Sequence, residues 1–421
     1  MSSANEMKRC VVLGFLIASP ALWGLNVAVA ATHLGGGNAS AVALVDADYM
    51  VIGDDETQEL RIYHRWRSGV ADYVRDFSQE LGLRELGAMG RFREVDIEAA
   101  AQLGSRVYWL GSHSNCSNCT PLGEIRRNRR RLFATDITGA GRQSTLHYVG
   151  RYDNLLSDLV SWDSGNLHRK GAAYYGFEQS ARPGLPPEAP TLDGFNLEGL
   201  AFSADGTVAY LGFRAPLIPG SGRTLALVVP VLNLPQLVIG NPAPGPAIFG
   251  DPIELDLNGR GIRGLETFGT GLMIIAGPVA SGGSFRLFSW SGRRGEPAHE
   301  HLAELSLPVP ESLLFDPPQQ IGGGVQVISD GSRTNASSQW VILGQPIPQV
   351  LQPTWSKANG FGATFFGRPG NDYWVEVREE TGAWRTVDRI TIPFSGYRTW
   401  QPDYDLLPRR THGMVRLRTI P

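Results

Sequence analysis

Short apolar runs of roughly four to eight residues, many alternating with polar ones, recur along this chain between Gly, Pro, Asn and Asp turns. A period of two predicts strands, and the strands fall into groups of four. The first group holds Ala41 to Val45, Tyr49 to Ile52, Leu60 to His64 and Ala71 to Phe77; the second holds Ile97 to Leu103, Arg106 to Leu110, Arg131 to Asp136 and Leu146 to Gly150. A third takes Leu197 to Ser203, Val208 to Phe213, Thr224 to Val231 and Ile253 to Leu257, and a fourth Ile262 to Phe268, Leu272 to Ala276, Phe285 to Trp290 and Leu302 to Leu307. The fifth is thinner, with Ser312 to Phe315, Val325 to Ser329 and Trp340 to Leu343, and an N-terminal strand to complete it. Asp205-Gly206, Gly104-Ser105 and Asp48 mark hairpin turns.

Four of the strands open alike, with a charged residue, a small one, then Ala or Leu. They are Glu98-Ala99-Ala100, Glu198-Gly199-Leu200, Arg263-Gly264-Leu265 and Glu311-Ser312-Leu313. After a turn each is followed by a strand ending in Gly111-Ser112-His113, Gly212-Phe213-Arg214, Gly277-Pro278 or Ser329-Asp330-Gly331. Repeated four-stranded units predict an all-β fold, a β-propeller of five blades over residues 31–349, with six the alternative if the insertions hide one. The segment 152–190, with a short helix over Asn154 to Val160 and a Pro-rich stretch, is expected to lie across one face as a loop or lid. Residues 350–421 carry strands at Gly362 to Gly367, Tyr373 to Glu379, Trp384 to Ile390 and Met414 to Arg418. They predict a small β-sandwich with Tyr373, Trp374 and Trp384 in its core.

Composition sharpens this picture at three points. Lys8 and Arg9 precede an apolar run from Cys10 to Val29 that ends at Ala28-Val29-Ala30, the pattern of a secretory signal over residues 1–30, cleaved before Ala31. A periplasmic or secreted protein follows, monomeric and with no membrane span after cleavage. With 38 Lys and Arg against 41 Asp and Glu the chain has no excess positive charge, which argues against a nucleic-acid partner. Loss of Cys10 leaves Cys116 and Cys119, and in an oxidising compartment they are expected to close a small disulfide loop. A zinc site built on these cysteines and His113 lacks an adjacent fourth ligand.

In a propeller the innermost strand leaves one face and the second strand returns to it. The start of the first and the end of the second therefore lie side by side, about 4.8 Å apart. The repeated polar residues then converge on one axis. The candidates for ligand binding are Asp54, Asp55, Asp96, Glu98, His113, Asn196, Glu198, Arg214, Arg263, Glu266 and Glu311, with Glu56 and Asp330 beside them. Converging carboxylates need a cation, an arginine or shared protons. Two arrangements satisfy this. In one, Arg214 and Arg263 close an ion-pair network that only ties blades together; in the other, Asp54, Asp55, Glu98, Glu198 and Glu311 hold a divalent cation, Ca²⁺ being the natural choice for oxygen ligands. A sugar or phosphate held by the arginines is a third possibility. The run Arg126 to Arg131 is expected to form one side of a hairpin, with Asp136 and Asp158 as partners, and anion binding is its functional alternative.

Several of these stretches resemble a known family. Gly53-Asp54-Asp55-Glu56, Asp96-Ile97-Glu98-Ala99-Ala100, Tyr108 to Ser114, Asn196 to Phe202, Gly212 to Pro216 and Arg260 to Glu266 are similar to the bacterial family catalogued as domain of unknown function 3616, over about Ala39 to Leu343. The resemblance implies a propeller-like fold and no assigned activity. Cys116-Ser117-Asn118-Cys119 departs from that pattern, as does Ala99 where Glu-Gly would stand. The Glu-Gly-Leu-Ala opening also looks like that of phytase-like esterase propellers, which implies Ca²⁺ and phosphate-ester cleavage, although the dense aspartate set of that chemistry is missing. The C-terminal segment is similar to small fibronectin-like modules. Two readings follow: an exported propeller binding a small molecule, carbohydrate or protein at a charged channel mouth, or a metal-assisted phosphoesterase-like hydrolase using the same carboxylates.

Overall fold

The computed structural model describes residues 28–187, 194–239, 245–280, 282–305, 309–315, 324–332, 334–342, 349–356, 360–366, 372–379, 383–391, 397–400 and 413–419. The signal-like opening through residue 27 lies outside them. Two compact units result, one spanning Leu25–Leu343 and one holding the strands after Gly344.

The first unit is all-β and propeller-like. After β1 (Ala28–Leu34), an antiparallel sheet forms from β2 (Ala39–Leu44), β3 (Tyr49–Asp54), β4 (Glu59–His64) and, past the two-residue β5 (Gly69–Val70), β6 (Tyr73–Asp76). The second sheet holds β7 (Ile97–Leu103), β8 (Arg106–Gly111), β9 (Leu132–Thr138) and β10 (Thr145–Tyr152). The third holds β11 (Asn196–Phe202), β12 (Ala209–Ala215), β13 (Leu225–Val231) and β14 (Ile253–Asp256). β15 (Gly261–Phe268), β16 (Gly271–Gly277), β17 (Arg286–Trp290) and β18 (His299–Glu304) make the fourth. In the fifth, β19 (Pro310–Leu314), β20 (Gly324–Ser332) and β21 (Asn335–Ile342) are joined by β1, with β5 at its edge. The leading strands touch in a closed cycle, β2 to β7 to β11 to β15 to β19 and back to β2.

Both faces of each sheet are covered, which explains why strands such as Leu225–Val231 read as continuous apolar runs. Successive residues point to opposite neighbours. Val228 packs toward the fourth sheet with Ile262, Leu265 and Ile274, while Leu227 and Val229 pack toward the second with Leu110 and Ala134. Five such apolar layers lie between consecutive sheets, the last joining Ala39, Val42, Met50 and Ile52 to Leu314, Ile328 and Ala336.

The ring is closed by its first strand. Residues of β1 pair antiparallel with β21, Ala31 opposite Ser338 and Leu34 opposite Asn335. Buried polar groups reinforce the seam. His33 Nε2 lies 2.8 Å from Ser338 Oγ, Gln326 Nε2 donates to Ser338 Oγ at 3.1 Å, and Arg65 Nε donates to Gln326 Oε1 at 3.0 Å.

The insertion between the second and third sheets is ordered by one buried carboxylate. Helix α1 (Leu155–Ser164) runs four residues past the expected end, and its Asp163 accepts hydrogen bonds from Tyr175 N (2.9 Å) and Phe177 N (3.0 Å), with His168 Nε2 at 3.0 Å. Tyr175 and Phe177 stack with Trp162 and join the layer between the second and third sheets. In the second unit, β22 (Gln349–Ser356), β23 (Gly360–Phe366), β24 (Asp372–Glu379), β25 (Arg385–Thr391), β26 (Tyr397–Trp400) and β27 (Gly413–Thr419) form two three-stranded sheets. Tyr373 lies in their core as expected. Trp374 and Trp384, also expected there, are half-buried and outside it; Trp400 packs there instead, alongside Phe365, Val375 and Leu417.

Closure by β1 yields a prediction. A chain starting at Ala31 retains the strand residues that face Asn335 to Ser338 and is expected to melt close to the full chain. One starting at Gly35 loses the strand and is expected to melt lower by about 10 °C or more. Calorimetry of the two truncations checks this.

Candidate functional site

A shared backbone irregularity builds the site. In each leading strand the pairing register skips one residue: Ser40, Glu98, Glu198, Arg263 and Glu311 stand at the skips between Ala39/Ala41, Ile97/Ala99, Leu197/Gly199, Ile262/Gly264 and Pro310/Ser312. A β-bulge of this kind leaves one residue unpaired and re-aims its side chain. The charged residue of each repeat is therefore the bulged one, and Ser40 is the fifth member that the charge pattern concealed. The small residue after it is explained as well. A Cβ on Gly264 would sit 2.5 Å from the Glu311 carbonyl oxygen, and one on Gly199 would sit 2.9 Å from Gly212 Cα. Only Gly lets the strands approach so closely there.

Above the bulges opens a cavity of about 670 Å³. Its lining includes eight carboxylate side chains and five arginines. Of the residues expected to converge, Asp55, Asp96, Glu98, Asn196, Glu198, Arg214, Arg263 and Glu311 line it, with Glu56 and Asp330. Three others do not. Asp54 is drawn off by Arg61, whose Nη1 lies 3.2 Å from Oδ2. His113 turns its Nδ1 to the Gly111 carbonyl at 2.7 Å, and burial pushes its pKa down to about 4. Glu266 lines a constriction of about 10 Å³ with Glu98, Glu198 and Glu311, room for about one water.

Charge is neutralised on one side of the axis. Glu198 Oε1 accepts from Asn196 Nδ2 (2.7 Å) and Arg214 Nη1 (2.9 Å), and Arg263 Nε lies 2.9 Å from its Oε2. Arg263 also donates to both oxygens of Glu311. Burial alone would lower the Arg263 pKa, but Glu198 and Glu311 hold it high. For Glu311 burial outweighs that pairing and raises its pKa to about 7. The sequence expectation of Glu198 and Glu311 as metal ligands meets an arginine at each of them.

The other side is under-compensated. One carboxylate oxygen from each of Asp55, Asp96 and Glu98 lies within 4.8 Å of the others. Asp96 has Arg129 Nη1 at 2.9 Å and accepts from Ser114 Oγ at 3.3 Å. Among the described residues neither Asp55 nor Glu98 is in an ion pair, Arg129 and Arg263 acting on Glu98 only from farther off, and Asp55 Oδ1 is buried without a donor. Burial first, then the neighbouring carboxylates, push both pKa values well above the usual range. The Oδ1 of Asn196, lining the same cavity, is also buried without a donor.

Sequence reasoning missed the outer supports. Arg129 donates to Glu94 Oε1 through Nη2 (2.7 Å) and to Ser114 Oγ through Nη1 (2.8 Å), fixing the wall beside Asp96. It belongs to the arginine run, whose expected partners are corrected. Asp136 pairs with Arg106 and Asp158 with the Tyr152 hydroxyl, while Arg126 pairs with Glu124. The sulfurs of Cys116 and Cys119 lie at disulfide distance, and Cys116, Ser117 and Asn118 form part of the rim.

Glu266 isolates the cost of burial. Among the described residues its one hydrogen bond comes from Thr267 N, and burial raises its pKa to about 8. The folded state then holds a proton that the unfolded state releases above about pH 4.5. Stability is full below that pH and falls as pH rises toward 8. Glu266→Gln is expected to leave stability unchanged near pH 4 and to raise it by about 1–3 kcal/mol at pH 8.5. Denaturant unfolding at the two pH values measures the difference.

Among described residues no helix is long and apolar enough to cross a membrane. No curated protein matches the chain. Residues 189–345, which supply Asn196, Glu198, Arg214, Arg263, Glu266, Glu311 and Asp330 to the axis, match the family model described as "Protein of unknown function (DUF3616)".

Proposed function

We propose that this is an exported, propeller-like protein whose central cavity binds a divalent cation, Ca²⁺ by preference, through Asp55, Asp96 and Glu98, and with it a small polar ligand. One observation carries the reading: three carboxylates each bring an oxygen within 4.8 Å of the others, and two of them are in no ion pair among the described residues. The donors are all oxygen, the chemistry of Ca²⁺ and Mg²⁺, and Asn196 Oδ1 adds a neutral oxygen to the same cavity. Asp96 is held in place by Arg129 and Ser114, so the cluster is partly preorganised. The signal-like opening and the cysteine pair support export. With no histidine among the described residues lining the cavity, general acid–base work would fall to carboxylates.

Calorimetric titration of metal-freed protein with CaCl₂ is expected to give one site with Kd of roughly 10⁻⁵ to 10⁻³ M. Asp55→Asn combined with Glu98→Gln is expected to weaken it by about a hundredfold, equivalent to about 2.7 kcal/mol. The same variant is expected to melt higher than the wild type without metal at pH 7, because the neutral amides need not take up the protons that folding imposes on Asp55 and Glu98. Asp136→Asn, on an outer strand, serves as the control with unchanged affinity. Ca²⁺ binding that is undiminished in the double variant contradicts the site.

A further inference from the structure

The cavity leaves one feature of the arginine run unexplained. Arg126, Arg129 and Arg131 point into the fold, with carboxylates or backbone carbonyls as partners. Arg127 is exposed and Arg130 half-buried; among the described residues neither is in an ion pair, and Arg130 Nε is buried without an acceptor. Arg84 and Arg91, both exposed, likewise have no ion pair. The carboxylate facing Arg130 is Glu85, whose Oε2 is occupied by Asn128 N at 2.9 Å.

Between Arg84 and Arg93 the chain makes a hairpin. Leu86 bridges Phe92, Gly87 N donates to Arg91 O (2.7 Å), and Arg93 N donates to Glu85 O (2.9 Å). Its base is clamped by the buried Asn128, whose Nδ2 donates to Glu85 O (3.1 Å) and Arg93 O (3.0 Å) and whose Oδ1 accepts from Arg84 N (3.2 Å). A loop held this firmly presents apolar side chains to water all the same. Leu86 is 53% exposed, Met89 88% and Phe92 40%. Met89 is lifted to the tip by a left-handed backbone, φ 57°.

We infer that this hairpin is a docking element for an anionic lipid surface: Leu86, Met89 and Phe92 enter the interface while the exposed Arg84, Arg91 and Arg127 meet the headgroup phosphates. The pairing of features selects the partner. Unpaired arginines alone would suit any polyanion, but an apolar tip ringed by them suits a surface with charge outside and hydrocarbon beneath. The next residues, Arg93 and Glu94, line the cavity, so the hairpin stands at its rim. The inference is independent of the cation site.

The test is co-sedimentation of the full chain with vesicles of phosphatidylcholine, with and without phosphatidylglycerol. Binding is expected only with the anionic lipid, to weaken as salt rises, and to fall about fivefold for each of Arg84, Arg91 and Arg127 changed to Ser. Met89→Asp with Phe92→Asp, on exposed positions, is expected to cost at least about tenfold without altering the melting temperature. Three results would each overturn the inference. They are no sedimentation with anionic vesicles at low salt, equal binding to neutral ones, or undiminished binding of the Met89→Asp, Phe92→Asp variant, which would mark the arginines as a general polyanion site.

Discussion

A carboxylate taken out of water must be given a counter-charge, a proton or a metal ion, and that requirement organises the axis of this protein. Arg263, reaching both Glu198 and Glu311, and Arg214, reaching Glu198, meet it across the third, fourth and fifth sheets. Of Asp55, Asp96 and Glu98, from the first and second, only Asp96 is in an ion pair among the described residues, with Arg129. The imbalance is local. Arg263 makes its ion pairs with Glu198 and Glu311 and acts on Glu98 only as a more distant charge, so Glu98 and Asp55 either stay protonated or take up a cation, which is why the binding chemistry is assigned to their side.

Geometry delivers this charge through backbone before side chains enter. Five leading strands each carry a bulge at the same point, and each bulge turns one residue out of the ladder. Glycines follow where the strands approach too closely for a Cβ, at Gly199 and Gly264. The apolar layers on both faces of every sheet hold the bulges in register, and the seam between β1 and β21 keeps the ring shut. Site and fold therefore stand on the same contacts. A weakened seam would displace the carboxylates on either side of it.

Much of this was legible in the chain. The continuous apolar runs of Leu225 to Val231 and of Leu272 to Ala276 mark strands covered on both faces. The recurring charged-small-apolar triplet located Glu98, Glu198, Arg263 and Glu311, since the bulge demands that order of residues. Ser40 was hidden because it carries no charge. Which carboxylates were neutralised was hidden too, because Arg263 acts across sheets, 65 residues from Glu198 and 48 from Glu311, and local spacing says nothing of such distances. His113 looked like a site residue by position. A left-handed backbone, φ 58°, turns its ring to Gly111 and away from the cavity. Glu94 escaped notice, and Arg129 was noticed only as part of the arginine run, because both lie outside the repeat, on segments that only the fold brings beside Asp96.

Proton release on metal addition tests the central claim most directly. If Asp55 and Glu98 hold protons for want of a counter-charge, CaCl₂ added to unbuffered protein at pH 7 must displace them, since a ligating carboxylate is deprotonated. A fall in pH that saturates with the metal, and that is lost in Glu98→Gln, is the predicted result. Saturable metal binding with no proton release, or release unchanged by Glu98→Gln, would contradict the account.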